Sequence, residues 1–180
     1  MNGELIKEYL IEGKEFMERH LFEKAFRCFS MALEIEPENF EALIWKGRVL
    51  IVLGRYAQAV RCLNCALLID QKCAEAWALK AMSLGGLKQF AEELKCYDRS
   101  LALDPECALV WLMKADRLRL MHRHEESLEC CDKVIALTRK DARAWVCKAI
   151  VLYRLDRKKE SEECAEKAIE LDPSFKPPSE

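Results

Sequence analysis

Ten cysteines, three histidines and four tryptophans are the side chains of this 180-residue chain whose types and spacing could do chemistry. Cys28, Cys62, Cys96, Cys130 and Cys164 recur every 34 residues, a ladder that a metal or a redox reaction could use. If each stride holds a pair of packed helices, equivalent thiols lie about 16–20 Å apart, whereas a disulfide needs Cα atoms within about 7 Å. Pairing in register is therefore excluded. Cys62-x-x-Cys65 has no second such pair to complete a tetrahedral zinc site, and Cys130-Cys131 and Cys147 add no ligand spacing. The expectation is free, inert thiols filling helix faces, with no metal.

The other candidates are read as structural too. His20 and His122 fall where a turn is expected and His124 just after, with no H-E-x-x-H or similar spacing, so they are read as surface turn residues. Trp77, Trp111 and Trp145 keep a fixed place among core residues and are read as packing groups. Lys46, Lys80, Lys114 and Lys148 are read as stems lying over apolar surface with their charge in water. Gly85-Gly86 has no following Lys-Ser/Thr and is read as loosening a helix end. No nucleophile, base and orienting acid assemble from these residues, so no catalytic residue, enzyme activity or cofactor is expected.

Composition narrows the partners. With 29 Lys and Arg against 31 Asp and Glu, the charge gives no footing for nucleic acid, whose nonspecific capture relies on many cationic contacts. The longest aliphatic run, residues 49–53, is far shorter than the ~20 residues of a membrane span. The start of the chain lacks the basic-then-apolar order of a signal peptide, so a soluble, cytoplasmic protein without membrane contact is expected.

The elements that must position these residues follow from the period. Trp77, Trp111 and Trp145 open the phrases Trp-Ala-Leu-Lys-Ala, Trp-Leu-Met-Lys-Ala and Trp-Val-Cys-Lys-Ala, and the stride of 34 extends back through Leu43 to Tyr9. The units are 6–39, 40–73, 74–107, 108–141 and 142–175, with a short tail 176–180, read as one domain over 1–180. Within the third unit Trp77, Ala81 and Leu84, then Phe90, Leu94, Tyr97 and Leu101, keep helical spacing, so each unit is two amphipathic helices. Pro37, Pro105 and Pro173 mark unit ends.

On Tyr9, Gly13, Phe16, Phe22, Ala25, Phe29, Ala32 and Pro37, repeated in phase, the chain resembles the tetratricopeptide repeat (TPR) family. The resemblance implies an all-α fold, a right-handed superhelical stack (α-solenoid) of five 34-residue helix-turn-helix units. Glu93, at a site where the family places Ala, needs solvent or a partner. His124 and Lys158 replace an aromatic, and Gln71 and Arg139 replace Pro. Ala42 and Val49, Ala76 and Ser83, and Ala144 and Val151 should pack on the preceding unit. The same face of the first unit is charged, with Glu8, Glu12, Glu15 and Arg19, and the last helix carries Lys158, Lys159, Glu162, Glu163, Glu166 and Glu170. An array closed by polar faces at both ends is expected.

What the family does with its first helices implies a concave groove for a peptide or partner helix. Carried across by register, its lining is Leu10, Lys14 and Met17; Ile44, Arg48 and Ile51; Ala78 and Met82; Leu112, Asp116 and Arg119; and Val146, Ile150 and Tyr153. Leu109, Arg143 and Arg154 share those faces. An apolar strip rimmed by Arg48, Arg119, Arg143 and Arg154 would suit an apolar segment with acidic flanks. The clamp that grips acidic chaperone tails is absent, because its Asn sites hold Lys14 and Trp45. A protein-interaction scaffold or adaptor is the expected function; the alternative is a homo-oligomer formed through the same surface, so either a monomer or a homodimer fits.

Overall fold

The computed structural model describes residues 2–175, and all of its regular elements are helical. They are α1 (Asn2–Glu18), α2 (Phe22–Ile35), α3 (Phe40–Val52), α4 (Tyr56–Ile69), α5 (Ala74–Gly86), α6 (Phe90–Leu103), α7 (Ala108–Leu120), α8 (His124–Thr138), α9 (Ala142–Arg154) and α10 (Lys158–Leu171). A single 3-10 turn, Pro173–Phe175, follows. Successive pairs follow the 34-residue stride, with α1 starting at Asn2, ahead of the expected unit 6–39, while the tail 176–180 lies outside the described residues. By contacts the chain forms two compact units, residues 2–103 with three helix pairs and residues 104–175 with two.

The first helices α3, α5, α7 and α9 begin at one register position, and the preceding side chain caps the start of α3, α5 and α9, while Cys107 makes no such bond at α7. The Asn39 Oδ1 accepts the Ala42 N–H at 3.0 Å, the Cys73 Sγ accepts from Ala76 at 3.4 Å, and the Asp141 Oδ1 accepts from Arg143 at 3.0 Å. Each satisfies one N–H that the first turn leaves without an intrahelical acceptor. Each first helix ends in a left-handed residue, again every 34: His20, Gly54, Lys88, His122 and Asp156, with φ between 56° and 69°. The following N–H reaches back to the helix, from Leu21 to Phe16, Arg55 to Leu50, Gln89 to Leu84, Arg123 to Leu118 and Arg157 to Leu152, at 2.8–3.0 Å. This is the Schellman closure, and it turns the chain straight into the second helix.

Within a pair, small residues let the helices approach. A Cβ on Gly13 would lie 2.6 Å from the Phe29 ring, and one on Gly47 would lie 2.8 Å from Leu63. Phe29 is fully buried with Ala25, Ala32, Ala42 and Val49, so the first pair's core receives α3 as the sequence expects. Leu43, Ile44, Leu50 and Leu63 meet Ala76 and Leu79 in the same way one step on. In the second compact unit Ala144 and Val151 are also fully buried. Sealing one Phe or Leu side chain contributes about 1.5–3 kcal/mol, so this repeated seam dominates stability. Glu8, Glu12, Glu15 and Arg19 are all exposed.

Three local readings acquire physical detail. Trp77, Trp111 and Trp145 are half-buried, each with the Lys three residues on lying 5.1–6.0 Å from its ring centroid. The indole N–H of Trp77 donates to the Gln71 carbonyl at 3.0 Å and that of Trp111 to the Pro105 carbonyl at 2.8 Å. At the next repeat Arg139 is left-handed (φ 43°) and α8 runs one residue longer, so the Trp145 N–H is buried without an acceptor. Gly86 does not loosen its helix end: it makes room for Tyr56, whose ring a Cβ there would meet at 2.6 Å. Glu93 is 2% exposed and held by a polar interaction within the fold.

Candidate functional site

The expected groove lining divides into core, half-covered wall and open surface. Leu10 and Ile44 are 7% and 6% exposed and belong to the packed clusters, so they hold the fold and are not presented to a ligand. Met17, Ile51 and Met82 pack against those clusters from the edge, and Ala78 is half-buried. Lys14 pairs with Glu41, and 34 residues on Arg48 pairs with Glu75 at 2.8 Å. Both cations also flank Trp45, at 5.7 and 5.1 Å from its ring centroid, and Trp45 stacks on Phe29 with centroids 6.0 Å apart.

In residues 104–175 the first helices α7 and α9 frame a cavity of about 410 Å³. Leu112, Asp116, Arg119, Val146 and Ile150 line it as the register expects, joined by Leu109, Met113, Arg143, Cys147 and Phe175. Leu109 is 57% exposed and Ile150 39%, and Tyr153 lies open on the same helix. Arg119 binds Asp116 at 2.5 Å and Arg143 binds Asp141 at 2.8 Å. The Arg143 hydrogen bonds hold the Asp141 carboxyl below its ordinary range, and the Asp116 bond raises Arg119. Arg48, Arg119 and Arg143, expected to be available to ligand carboxylates, each lie beside a carboxylate of their own fold.

Sequence reasoning missed Met113 and Cys147, which share the register of Trp45, and it missed Phe175. The first two were within reach, since Met113 lies four residues after Leu109 and Cys147 four after Arg143, on the same helix faces as those two residues. Phe175 sits where Asn39 and Asp141 cap their helices, and a phenyl ring cannot accept an N–H.

The periodic cysteines behave as packing residues. Burial, then the Glu12 carboxylate 3.7 Å away, pushes the Cys28 thiol up to about 11. Burial likewise raises Cys62, Cys96 and Cys164. Among the described residues no three His, Cys, Asp or Glu side chains converge in a way that could hold a metal, and no helix is long and apolar enough to cross a membrane.

Five helix pairs, each first helix closed by a left-handed turn residue at one register position, define a repeat protein. Tetratricopeptide repeat family models match residues 16–82, 74–107 and 142–175, and the chain belongs to this family. No curated protein sequence matches it. Among solved structures it is similar to MamA 41-end from Desulfovibrio magneticus RS-1, at TM-score 0.86 and 22% identity over 97% of this chain and 98% of that one. YrrB, described as a TPR protein with an unusual peptide-binding site, gives 0.75 and 19% over 92% and 85%. TTC0263, a thermophilic TPR protein of Thermus thermophilus, gives 0.74 and 17% over 93% and 92%.

Proposed function

We propose that the chain is a protein-interaction scaffold whose first-helix faces receive a peptide or a partner's helix. The observation that carries this reading is the cavity between α7 and α9, where Leu109, Leu112, Val146 and Ile150 present apolar surface that the fold leaves uncovered. A concave, mostly apolar site with a few fixed charges is the usual form of a binding site. The description of YrrB as peptide-binding agrees with it. Because the cavity cations are internally paired, affinity comes from apolar side chains, and the charges set orientation.

The test uses peptides selected by display on the immobilised protein, with affinities measured by calorimetry. Ile150→Glu and Leu112→Glu alter exposed and half-buried positions, so both keep wild-type helicity and weaken the selected peptides by about tenfold or more, which is ~1.4 kcal/mol. Ile44→Glu is unsuitable as a probe, because it would place a charge in the core. Undiminished binding by both variants would sink the assignment. A homodimer in light scattering that Ile150→Glu dissociates would instead give the face to a second copy.

A further inference from the structure

Ion pairs join neighbouring first helices at one fixed spacing in residues 2–103, and the pattern breaks at the cavity. Lys14 of α1 reaches Glu41 of α3, and Arg48 of α3 reaches Glu75 of α5, each pair 27 residues apart. In residues 104–175 the same two register positions hold Asp116 and Arg143, opposite charges again with their order reversed. Both line the 410 Å³ cavity between α7 and α9, yet they do not pair across it. Asp116 is taken by Arg119 on its own helix, and Arg143 by Asp141 at the start of its own helix.

The two competitors are particular to this half. At the register of Arg119 the first two units hold Met17 and Ile51, and at the register of Asp141 they hold Asn39 and Cys73, none of them charged. Bond number then decides the pairing. Arg143 Nε and Nη2 donate to the two Asp141 oxygens at 3.0 and 2.8 Å, and Arg119 Nε and Nη2 both donate to Asp116 Oδ1, at 3.1 and 2.5 Å. Pairing across the cavity would pull Arg143 off two carboxylate bonds and turn Asp116 away from two more, for at most two in return. Local partners also demand less side-chain ordering than a reach between helices.

We infer that Arg119 and Asp141 are positioning residues that hold the mouth of this cavity open, by occupying the two charges that would otherwise latch α7 to α9. The inference rests on the scaffold reading of the same cavity and adds the chemistry of the partner. With all four charges matched inside the fold, the segment that fits is apolar and uncharged, because it breaks no ion pair on entering and leaves none of its own charges unmatched.

Two substitutions borrowed from the chain's first unit test this. Arg119→Met and Asp141→Asn copy positions 17 and 39, and the amide still caps α9. The probe is a set of uncharged peptides selected by display on the wild-type chain. The double variant should bind them about fivefold more weakly, the top of the range for breaking one exposed ion pair. Adding Asp116→Asn, which removes the latch and no apolar surface, should restore the loss. Equal binding by the double and triple variants overturns the inference, and so does a selection open to all residues that is won by peptides needing a carboxylate or an ammonium.

A second readout needs no ligand. In urea denaturation Asp116→Asn and Arg143→Gln should shift the midpoint additively in the wild-type chain and non-additively in the Arg119→Met/Asp141→Asn chain. Additivity in both backgrounds overturns the inference. If the peptides bind Ile150→Glu as tightly as wild type, it is the scaffold reading that fails, and the urea cycle still decides the latch.

Discussion

Phe29 has no room to move: its ring is fully buried and lies against Gly13 on one side and Trp45 on the other. A methyl group at Gly13 improves helix propensity by about 1 kcal/mol yet forces the ring out of place, and overpacking of that kind costs about 1–3 kcal/mol. Gly13→Ala should therefore lower the urea midpoint, and adding Phe29→Leu should recover part of the loss; simple additivity of the two would show that the ring does not feel the methyl. This contact was legible in the sequence, because small and aromatic residues alternate at fixed family sites. Ile44 was misread. Register identifies a helix face, but only packing decides how deep along that face a side chain sinks.

At the scale of the element, the turn between paired helices is the device that repeats most strictly. Five left-handed residues stand at one register position, and Gly54 is the only one without a Cβ. A left-handed residue with a side chain costs roughly 1–2 kcal/mol, set against about 0.5–1 kcal/mol of extra freedom that glycine has in the unfolded chain. Lys88→Gly, at an exposed turn that makes no cluster contact, should raise stability by about 0.5–1 kcal/mol in chemical denaturation. Gly54→Ala should lower it by a similar amount. The positions of these turns follow from the period, but their handedness does not, because His, Lys and Asp at four of the five give no signal. The lost acceptor of the Trp145 indole was equally hidden: Arg139 in place of Pro marked a departure, and only the longer α8 shows its effect.

Across the whole molecule, the ionisable groups set a window of stability. The depressed carboxyls of Glu126 and Asp141 contribute above the ordinary carboxylate pKa of about 4, and that contribution disappears as pH falls through their lowered values. It is small, because the Arg123–Glu126 pair is open to solvent and the Arg143 partner of Asp141 is 62% exposed. The buried thiols act at the other end. Raised above the ordinary value of about 8.5, they contribute fully below it, and the contribution is lost as pH climbs toward the Cys28 value of about 11. Urea midpoints should stay level from about pH 5 to 8 and fall more steeply on the alkaline side. Cys28→Ala should shallow that alkaline limb; an unchanged limb would mean the thiols are not its source. The helix-pair architecture was readable from the 34-residue period and the family pattern, whereas the charge state of the first-helix faces was not, since a sequence does not show which cation already has a carboxylate beside it. Pairing of Lys14 with Glu41, Arg48 with Glu75, Arg119 with Asp116 and Arg143 with Asp141 leaves little field extending into the surrounding water. If the chain is the scaffold proposed, a ligand arrives by unsteered diffusion, at about 10⁵–10⁶ M⁻¹s⁻¹ and with little dependence on ionic strength, and discrimination between ligands rests on how long each one stays.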